Sequence, residues 1–189
     1  MCFENELKEA KEAGDRDKEC GAYTNLGIAY KSLDDFIKAS KCHHQQVLSI
    51  SKENGNKDFQ KAAYVNLGKF YYSLNDFGLK AIDFHQQALC IAKEIENKYS
   101  EGDTCGALDN AYHSLGNFKR AIKFHRQALR IVKEIGAKDL EARAHRNLGA
   151  VYNSRGDFER AIELYQQYLS IAREIGDDVS EGSVYCSLV

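Results

Sequence analysis

Apolar residues recur at every third or fourth position through most of the chain, the spacing that places them on one face of an α-helix. In one such stretch Ala144, Leu148 and Tyr152 follow one another at steps of four residues. A second stretch begins at Phe158 and carries apolar residues through to Ile175. Short polar segments containing Gly, Asn or Asp separate the two stretches, as is typical of turns. The pattern therefore predicts pairs of amphipathic helices.

These helix pairs repeat with a period of 40 or 41 residues. Each period has a Leu, a small residue directly after it, a Tyr three residues after the small position and a Phe nine residues after it. The columns are Leu26, Leu67, Leu108, Leu148 and Leu188; Gly27, Gly68, Asp109, Gly149 and Val189; Tyr30, Tyr71, Tyr112 and Tyr152; and Phe36, Phe77, Phe118 and Phe158. A single helix pair cannot bury its apolar face alone, so successive pairs must stack. The predicted fold is all-α: an α-solenoid of stacked antiparallel helix pairs.

We predict one array over residues 1–189, with four full repeats and a partial helix at each end. First helices are expected near 18–32, 59–73, 100–114 and 140–154, and second helices near 36–53, 77–96, 118–135 and 158–175. The repeats are assigned to residues 18–57, 58–98, 99–138 and 139–178. Residues 1–17 match the end of a preceding second helix and its link, and residues 179–189 match the start of a further first helix. Because neither end carries a polar capping unit, we expect a piece of a longer array.

The columns resemble the tetratricopeptide repeat in its long, 40-residue form. The fourth repeat carries the family's Leu-Gly pair at 148–149, its Tyr at Tyr152 and its Ala at Ala161. The family's closing Pro is missing, since the chain has no Pro at all. Phrases such as Asn-Leu-Gly at 147–149 and Asp-Phe-Glu-Arg-Ala-Ile at 157–162 look like the repeats of Pins/LGN-type G-protein-signalling modulators and are similar to those of kinesin light chains. The resemblance implies a scaffold for protein–protein interaction.

Two departures from the repeat pattern need structural accommodation. Asp109 stands at the small position, where we expect its carboxylate either to turn outward or to pair with a base, and the third repeat to loosen. The first two repeats each carry one extra residue in the second helix, after Ala39 and before Ala81 respectively. A π-bulge or a kink would absorb such an insertion.

Composition narrows the classes of function. The chain has 26 Lys and Arg against 28 Asp and Glu, a net charge of -2, whereas proteins that bind nucleic acid usually carry a basic surplus. We therefore expect no nucleic acid partner. No apolar run is long enough to predict a membrane span. Six Cys without paired metal-type spacing favour a reduced, cytoplasmic protein.

No sequence motif for catalysis, metal binding or cofactor binding is visible. The chain lacks a P-loop, a Gly-x-Ser-x-Gly elbow and a His-Glu-x-x-His pair. His85 and His125 share one repeat column in which the family carries an aromatic residue, so we expect both to pack between adjacent repeats. The sequence predicts a non-catalytic protein without cofactor or metal.

The resemblance implies that the first helices line an inner groove. The candidate peptide-binding residues at its inward positions are Asn25, Lys31, Asn66, Lys69, Tyr72, Asn110, His113, Arg143, Arg146, Asn147 and Asn153. Amide side chains both donate and accept hydrogen bonds, so they can grip the backbone of an extended peptide. Arg143 and Arg146 lie one turn apart, where they can clamp a carboxylate. We expect an extended, acidic segment of a partner protein to bind there.

Two alternatives stay open at this point. The same positions are also those of an ordinary solvated helix face. The array can also be a structural module that stacks end to end through its uncapped ends, near Phe3 and Leu7 at one end and Val184 and Leu188 at the other. If the Pins/LGN resemblance extends to function, the partners belong to cell polarity, spindle orientation or G-protein signalling.

Overall fold

The computed structural model describes residues 2–33, 46–74 and 78–176 of the chain. These ranges contain nine α-helices joined by short turns. They are α1 (Cys2–Ala13), α2 (Arg16–Ser32), α3 (Leu48–Glu53), α4 (Lys57–Ser73), α5 (Gly78–Glu94), α6 (Lys98–Ser114), α7 (Phe118–Glu134), α8 (Lys138–Ser154) and α9 (Phe158–Glu174). No strand occurs in these ranges, and the predicted all-α class is confirmed. The partial helix expected at 179–189 lies outside the described residues.

The first helices begin two residues before their predicted starts. For α8 the extra residues are Lys138 and Asp139, and for α4 they are Lys57 and Asp58. These positions carry no apolar residue, so the hydrophobic pattern does not include them. A carboxylate in the first turn is nevertheless favourable, because it faces the positive end of the helix dipole.

The chain divides into two units, residues Met1–Ile95 and Glu96–Val189. In the first unit α2 packs against α1 and α3, and α4 packs against α3 and α5. In the second unit α6 pairs with α7 and α8 pairs with α9, and contacts of α8 with α6 and α7 join the two pairs. Short links make successive helices antiparallel within each pair.

The buried residues lie on the apolar faces of the helices and coincide only partly with the repeat columns, since Phe158 is exposed. In the first unit Cys20, Tyr23, Val47, Ile50 and Ala63 form one cluster, with Leu7 and Phe59 packed at its edge. In the second unit one cluster comes from α8 and α9; its members include Leu148, Tyr152, Tyr165, Tyr168 and Leu169. The amphipathic pattern thus sets which face of each helix is buried.

The Tyr column is packed in a recurring way. Its ring stacks on an aromatic ring of the second helix, at 5.3 Å for Tyr71 with Phe84 and 5.5 Å for Tyr112 with Phe124. A cation of the second helix also lies over the tyrosine ring. The cations are Lys80 over Tyr71, Arg120 over Tyr112 and Arg160 over Tyr152, all between 5.3 and 5.5 Å from the ring centroid. The column therefore ties the two helices of a repeat together near their shared turn.

The expected helix insertions lie next to or within segments outside the described residues. The helices α5, α7 and α9 each span 17 residues and carry a buried Ala as their fourth residue, which is Ala81 in α5. Residues 75–77, which precede α5, lie outside the described residues, so the extra residue before Ala81 stays a prediction. In the first repeat Ala39 lies outside the described residues, but residues 46–47 have the π-helical backbone that absorbs an extra residue.

The small position is where the two helices of one repeat approach most closely. A Cβ added at Gly149 would lie 2.7 Å from a ring carbon of Tyr165, and one added at Gly68 would lie 2.3 Å from the ring of His85. These distances are too short for any side chain. His85 therefore contacts the first helix of its own repeat, and the prediction that this column also packs between adjacent repeats stays a prediction.

The third repeat fills the same contact with a polar pair. Asp109 and His125 are both wholly buried, and the Nδ1 of His125 lies 3.0 Å from Oδ2 of Asp109. Of the two outcomes expected for Asp109, pairing with a base is the one the structure shows. The adjacent Leu108 and Ala111 are also wholly buried, and the expected loosening of this repeat stays a prediction.

We predict that Asp109 and His125 are energetically coupled. Asp109→Gly or His125→Tyr alone should destabilise the chain by about 3 kcal/mol or more, because each leaves a buried polar partner unpaired. The double variant Asp109→Gly/His125→Tyr recreates the Gly149–Tyr165 pair of the next repeat and should recover much of this loss. Urea denaturation of all four proteins measures the coupling, expected at about 1 to 3 kcal/mol. Simple additivity of the two losses would contradict it.

We also predict that Gly149→Ala destabilises the chain by about 1 to 3 kcal/mol, because Tyr165 is buried and cannot yield to the new methyl group. Gly106→Ala is the matched control in the same unit. An added Cβ at this position meets nothing within 4 Å, so the change should be neutral or stabilising by up to about 1 kcal/mol. Equal thermal stabilities of the two variants would show that the close approach is not a real constraint.

Candidate functional site

In the second unit, side chains one repeat apart connect the first helices α6 and α8. The Tyr99 hydroxyl donates to Asp139 at 3.0 Å, Arg143 donates to Asp103 at 2.5 Å, and His113 Nε2 lies 2.9 Å from Ser154 Oγ. These contacts run from the start of both helices to their ends. The hydrogen bond to Asp139 raises the pKa of Tyr99, since the nearby carboxylate favours the protonated phenol.

The predicted site residues of this unit lie along the same contacts. On α6 these are Asn110 and His113; on α8 they are Arg143, Arg146, Asn147 and Asn153. Asn110, Asn147 and Asn153 are half-buried, and Arg146 is exposed. We call these six residues the α6–α8 surface. It presents amide groups and cations along two helices that lie side by side.

The two arginines of this surface have different surroundings. The guanidinium of Arg143 is already hydrogen-bonded to Asp103. The guanidinium of Arg146 lies over the Tyr168 ring, 5.9 Å from its centroid. A clamp on one carboxylate by both arginines, as the sequence predicts, would have to displace Asp103. Asp103 is not among the predicted site residues. The sequence nevertheless indicates its contact with Arg143, because residues 103 and 143 are one period apart and therefore face each other.

The predicted residues of the first unit lie on α2 and α4. Asn25 borders a hollow of about 430 Å³ between α1 and α2, which Glu6, Glu9 and Gly21 also line. Asn66, Lys69 and Tyr72 follow one another along α4, where Asn66 is half-buried and the other two are exposed. The side chain of Lys31 lies outside the described residues.

Metal-ligating and thiol side chains have the following surroundings in the part of the chain that the structure describes. No group of three or more His, Cys, Asp and Glu side chains is arranged there to hold a metal ion. Burial raises the pKa of Cys20 to about 11, so this thiol stays protonated. No helix in the same ranges has the length and apolar character needed to cross a bilayer.

His145 is a buried titratable group next to the α6–α8 surface. Burial is the main cause that lowers its pKa from 6.5 to about 4, with a further contribution from Lys133, while Glu141 opposes the shift. The folded protein therefore holds this ring neutral at pH values where the unfolded chain protonates it.

We predict that His145 makes the chain acid-sensitive. The stability it contributes is complete above about pH 6.5 and is lost as the pH falls from there towards about 4, since only the unfolded state gains the proton in that window. In His145→Gln the loss of unfolding free energy between neutral and mildly acidic pH should be smaller. His113→Gln, at the half-buried histidine bonded to Ser154, is the control. The idea fails if both variants follow the wild-type pH profile.

With this geometry established, comparison with known proteins assigns the repeat. Residues 110–174 match the sequence profile of the tetratricopeptide repeat, a range that runs from the second half of α6 to the end of α9. These residues belong to the tetratricopeptide repeat family. In these repeats α6 and α8 are first helices, and α7 and α9 are second helices.

Solved structures share the fold of this chain. BtubC from P. vanneervenii is 25% identical with a TM-score of 0.76, over 86% of this chain and 66% of that one. Aspartyl phosphate phosphatase F from Bacillus subtilis is 15% identical with a TM-score of 0.84, over 94% and 46%. The TPR-like repeats of a putative kinesin light chain from Podosopora anserina are 17% identical with a TM-score of 0.74, over 93% and 86%.

These comparisons limit which properties of the similar structures can be assigned to this chain. It spans 66% of the length of BtubC and 28% of a Pyrococcus horikoshii signal transduction ATPase with a tetratricopeptide repeat sensor. No curated protein matches its sequence significantly. At these identities the structures establish the fold. The narrower resemblance to Pins/LGN-type proteins stays a prediction.

Proposed function

We propose that this tetratricopeptide repeat chain is a non-catalytic scaffold, and that its α6–α8 surface binds an extended, acidic segment of a partner protein. The observation that carries the proposal is the side-by-side placement of α6 and α8, fixed by the contacts Tyr99–Asp139, Arg143–Asp103 and His113–Ser154. Such a placement presents the amides of both helices to one bound segment.

The amides of this surface suit a peptide backbone. Asn110, Asn147 and Asn153 each offer a donor and an acceptor, and peptide groups need both. Half-buried amides also lose less water and less side-chain freedom on binding than fully exposed ones. Recognition of the backbone supplies affinity without specifying a sequence.

The charge of the surface favours a carboxylate ligand. Arg146 forms no ion pair with any described residue, and its position over Tyr168 restrains the guanidinium before a ligand arrives. Asp103 neutralises Arg143, so the two residues together add little net charge. We therefore propose that Arg146 binds the ligand carboxylate and that the Arg143–Asp103 pair maintains the distance between α6 and α8. Because an extended segment loses conformational freedom on binding, we expect roughly micromolar affinity.

This assignment predicts opposite effects for two single substitutions. Arg146→Glu should weaken binding of a fluorescein-labelled peptide of alternating Glu and Ser by about tenfold, because an attraction becomes a repulsion. Asp103→Asn should strengthen it severalfold, because Arg143 is then free to join Arg146 on a carboxylate. Fluorescence anisotropy measures both.

The control for these substitutions is Lys93→Glu, an equal charge change at an exposed position of α5. It should leave binding nearly unchanged. If Arg146→Glu and Lys93→Glu weaken binding equally, the α6–α8 surface is not the peptide site.

The partner class rests on the Pins/LGN resemblance alone. On that basis we propose that the acidic segment belongs to a protein of cell polarity, spindle orientation or G-protein signalling. Binding of such a partner to the wild-type chain and not to Arg146→Glu would support both proposals. Binding that is insensitive to Arg146 would separate the partner from the surface.

A further inference from the structure

The second helix of the third repeat is far more basic than its counterparts. Helix α7 carries six Lys and Arg and a single carboxylate, Glu134. The corresponding helix α9 has two cations and three carboxylates, and α5 has two of each. This concentration stands out in a chain whose net charge is -2.

Four of these cations form one line on the helix. Lys119, Lys123, Arg126 and Arg130 are spaced by four, three and four residues, so they lie on one face. All four side chains are exposed. The buried residues Ala121, His125, Ala128 and Val132 have the same spacing two residues later, which puts them on the opposite face. We call the four cations the α7 basic stripe; at 1.5 Å per residue it is roughly 16 Å long.

The α7 basic stripe is not neutralised within the described parts of the chain. None of its four side chains forms an ion pair or a hydrogen bond there. The other two cations of the helix do have partners, since Arg120 lies over Tyr112 and Lys133 is 3.6 Å from Glu141. Four like charges at these distances repel one another, and an anionic partner would relieve that repulsion.

An open hollow of about 980 Å³ lies at the N-terminal end of the stripe. Its basic lining comes from Lys119, Lys123, Arg126 and also Arg155 at the end of α8. Phe118 and Ile122, both half-buried, supply an apolar wall. The hollow therefore combines positive charge with a contact area for an apolar side chain.

From these observations we propose that the α7 basic stripe is a second docking surface, separate from the α6–α8 surface, and that it binds an acidic protein segment carrying a spaced apolar residue. Carboxylates of the segment pair with the stripe, and its apolar side chain enters the hollow against Phe118 and Ile122. A length of roughly 16 Å corresponds to about five extended residues.

Protein fits this surface better than nucleic acid or a single phosphate. A phosphate group is bound by cations that converge on one point, whereas these four are spread along a helix. Nucleic acid binding needs a basic surplus over a wide area, and here the surplus is confined to one helix of a slightly acidic chain. The apolar wall also has no role in binding phosphates.

The test uses the full chain and fluorescence anisotropy of a labelled peptide in which pairs of Glu alternate with single Leu residues. The variant Lys119→Glu/Lys123→Glu/Arg126→Glu should bind it at least about tenfold more weakly. A neutral variant with Gln at the same three positions should lose an intermediate amount of affinity. It replaces the charge-reversed variant in the test if that variant folds poorly. The matched control is Lys8→Glu/Lys18→Glu/Lys93→Glu, which makes the same charge change at exposed positions of the first unit.

Each outcome decides the proposal. The proposal is supported if the stripe variants bind the peptide more weakly while the matched control and Arg146→Glu bind it nearly normally. Equal loss in the matched control shows a general charge effect and overturns it, as does loss confined to Arg146→Glu. The proposal is also overturned if a peptide with Gln in place of Glu binds equally well. If polyuridine binds more strongly than the peptide and the stripe variants abolish that binding, the surface binds nucleic acid instead.

Discussion

The close approach of two helices at the small position of each repeat is the contact on which the structure depends. Where Gly149 meets Tyr165 and Gly68 meets His85, the absence of a side chain on one helix leaves room for a ring from the other. The rings fill that room and leave no space for a methyl group. This contact sets the distance between the paired helices, and the apolar columns above and below it pack at that distance.

The third repeat reaches the same packing by a different chemistry. Asp109 and His125 replace the glycine and the aromatic ring, and a hydrogen bond takes the place of a contact between ring and backbone. A buried pair of this kind is not an efficient source of stability, because both groups lose their hydration. Its two members depend on each other, however, so a change of either one alone is costly. That dependence explains how an acid can persist at a position that elsewhere needs glycine.

The repeats also determine where charge is neutralised and where it is left free. Residues one period apart face each other on neighbouring first helices, so Asp103 meets Arg143 and the cation is neutralised inside the protein. On the exposed face of α7 four cations follow one another, and none of them forms an ion pair with a described residue. The two proposed docking surfaces therefore differ in character: amides dominate the α6–α8 surface, and charge with an apolar wall dominates the α7 basic stripe.

The period of the apolar residues is a local property, and it was sufficient to predict the all-α class and, where the structure describes a helix end, its position to within about two residues. A helix is stabilised by its own backbone hydrogen bonds and by the burial of one apolar face, and both depend on residues that are close together in the sequence. The sequence also marked Asp109 as unusual and marked Arg143 and Arg146 as neighbours on one face. Only the tertiary structure decided that Asp109 turns inward to His125 and that Arg143 is held by Asp103. Each of these contacts depends on a distance between residues on different helices, which no local pattern of residues specifies.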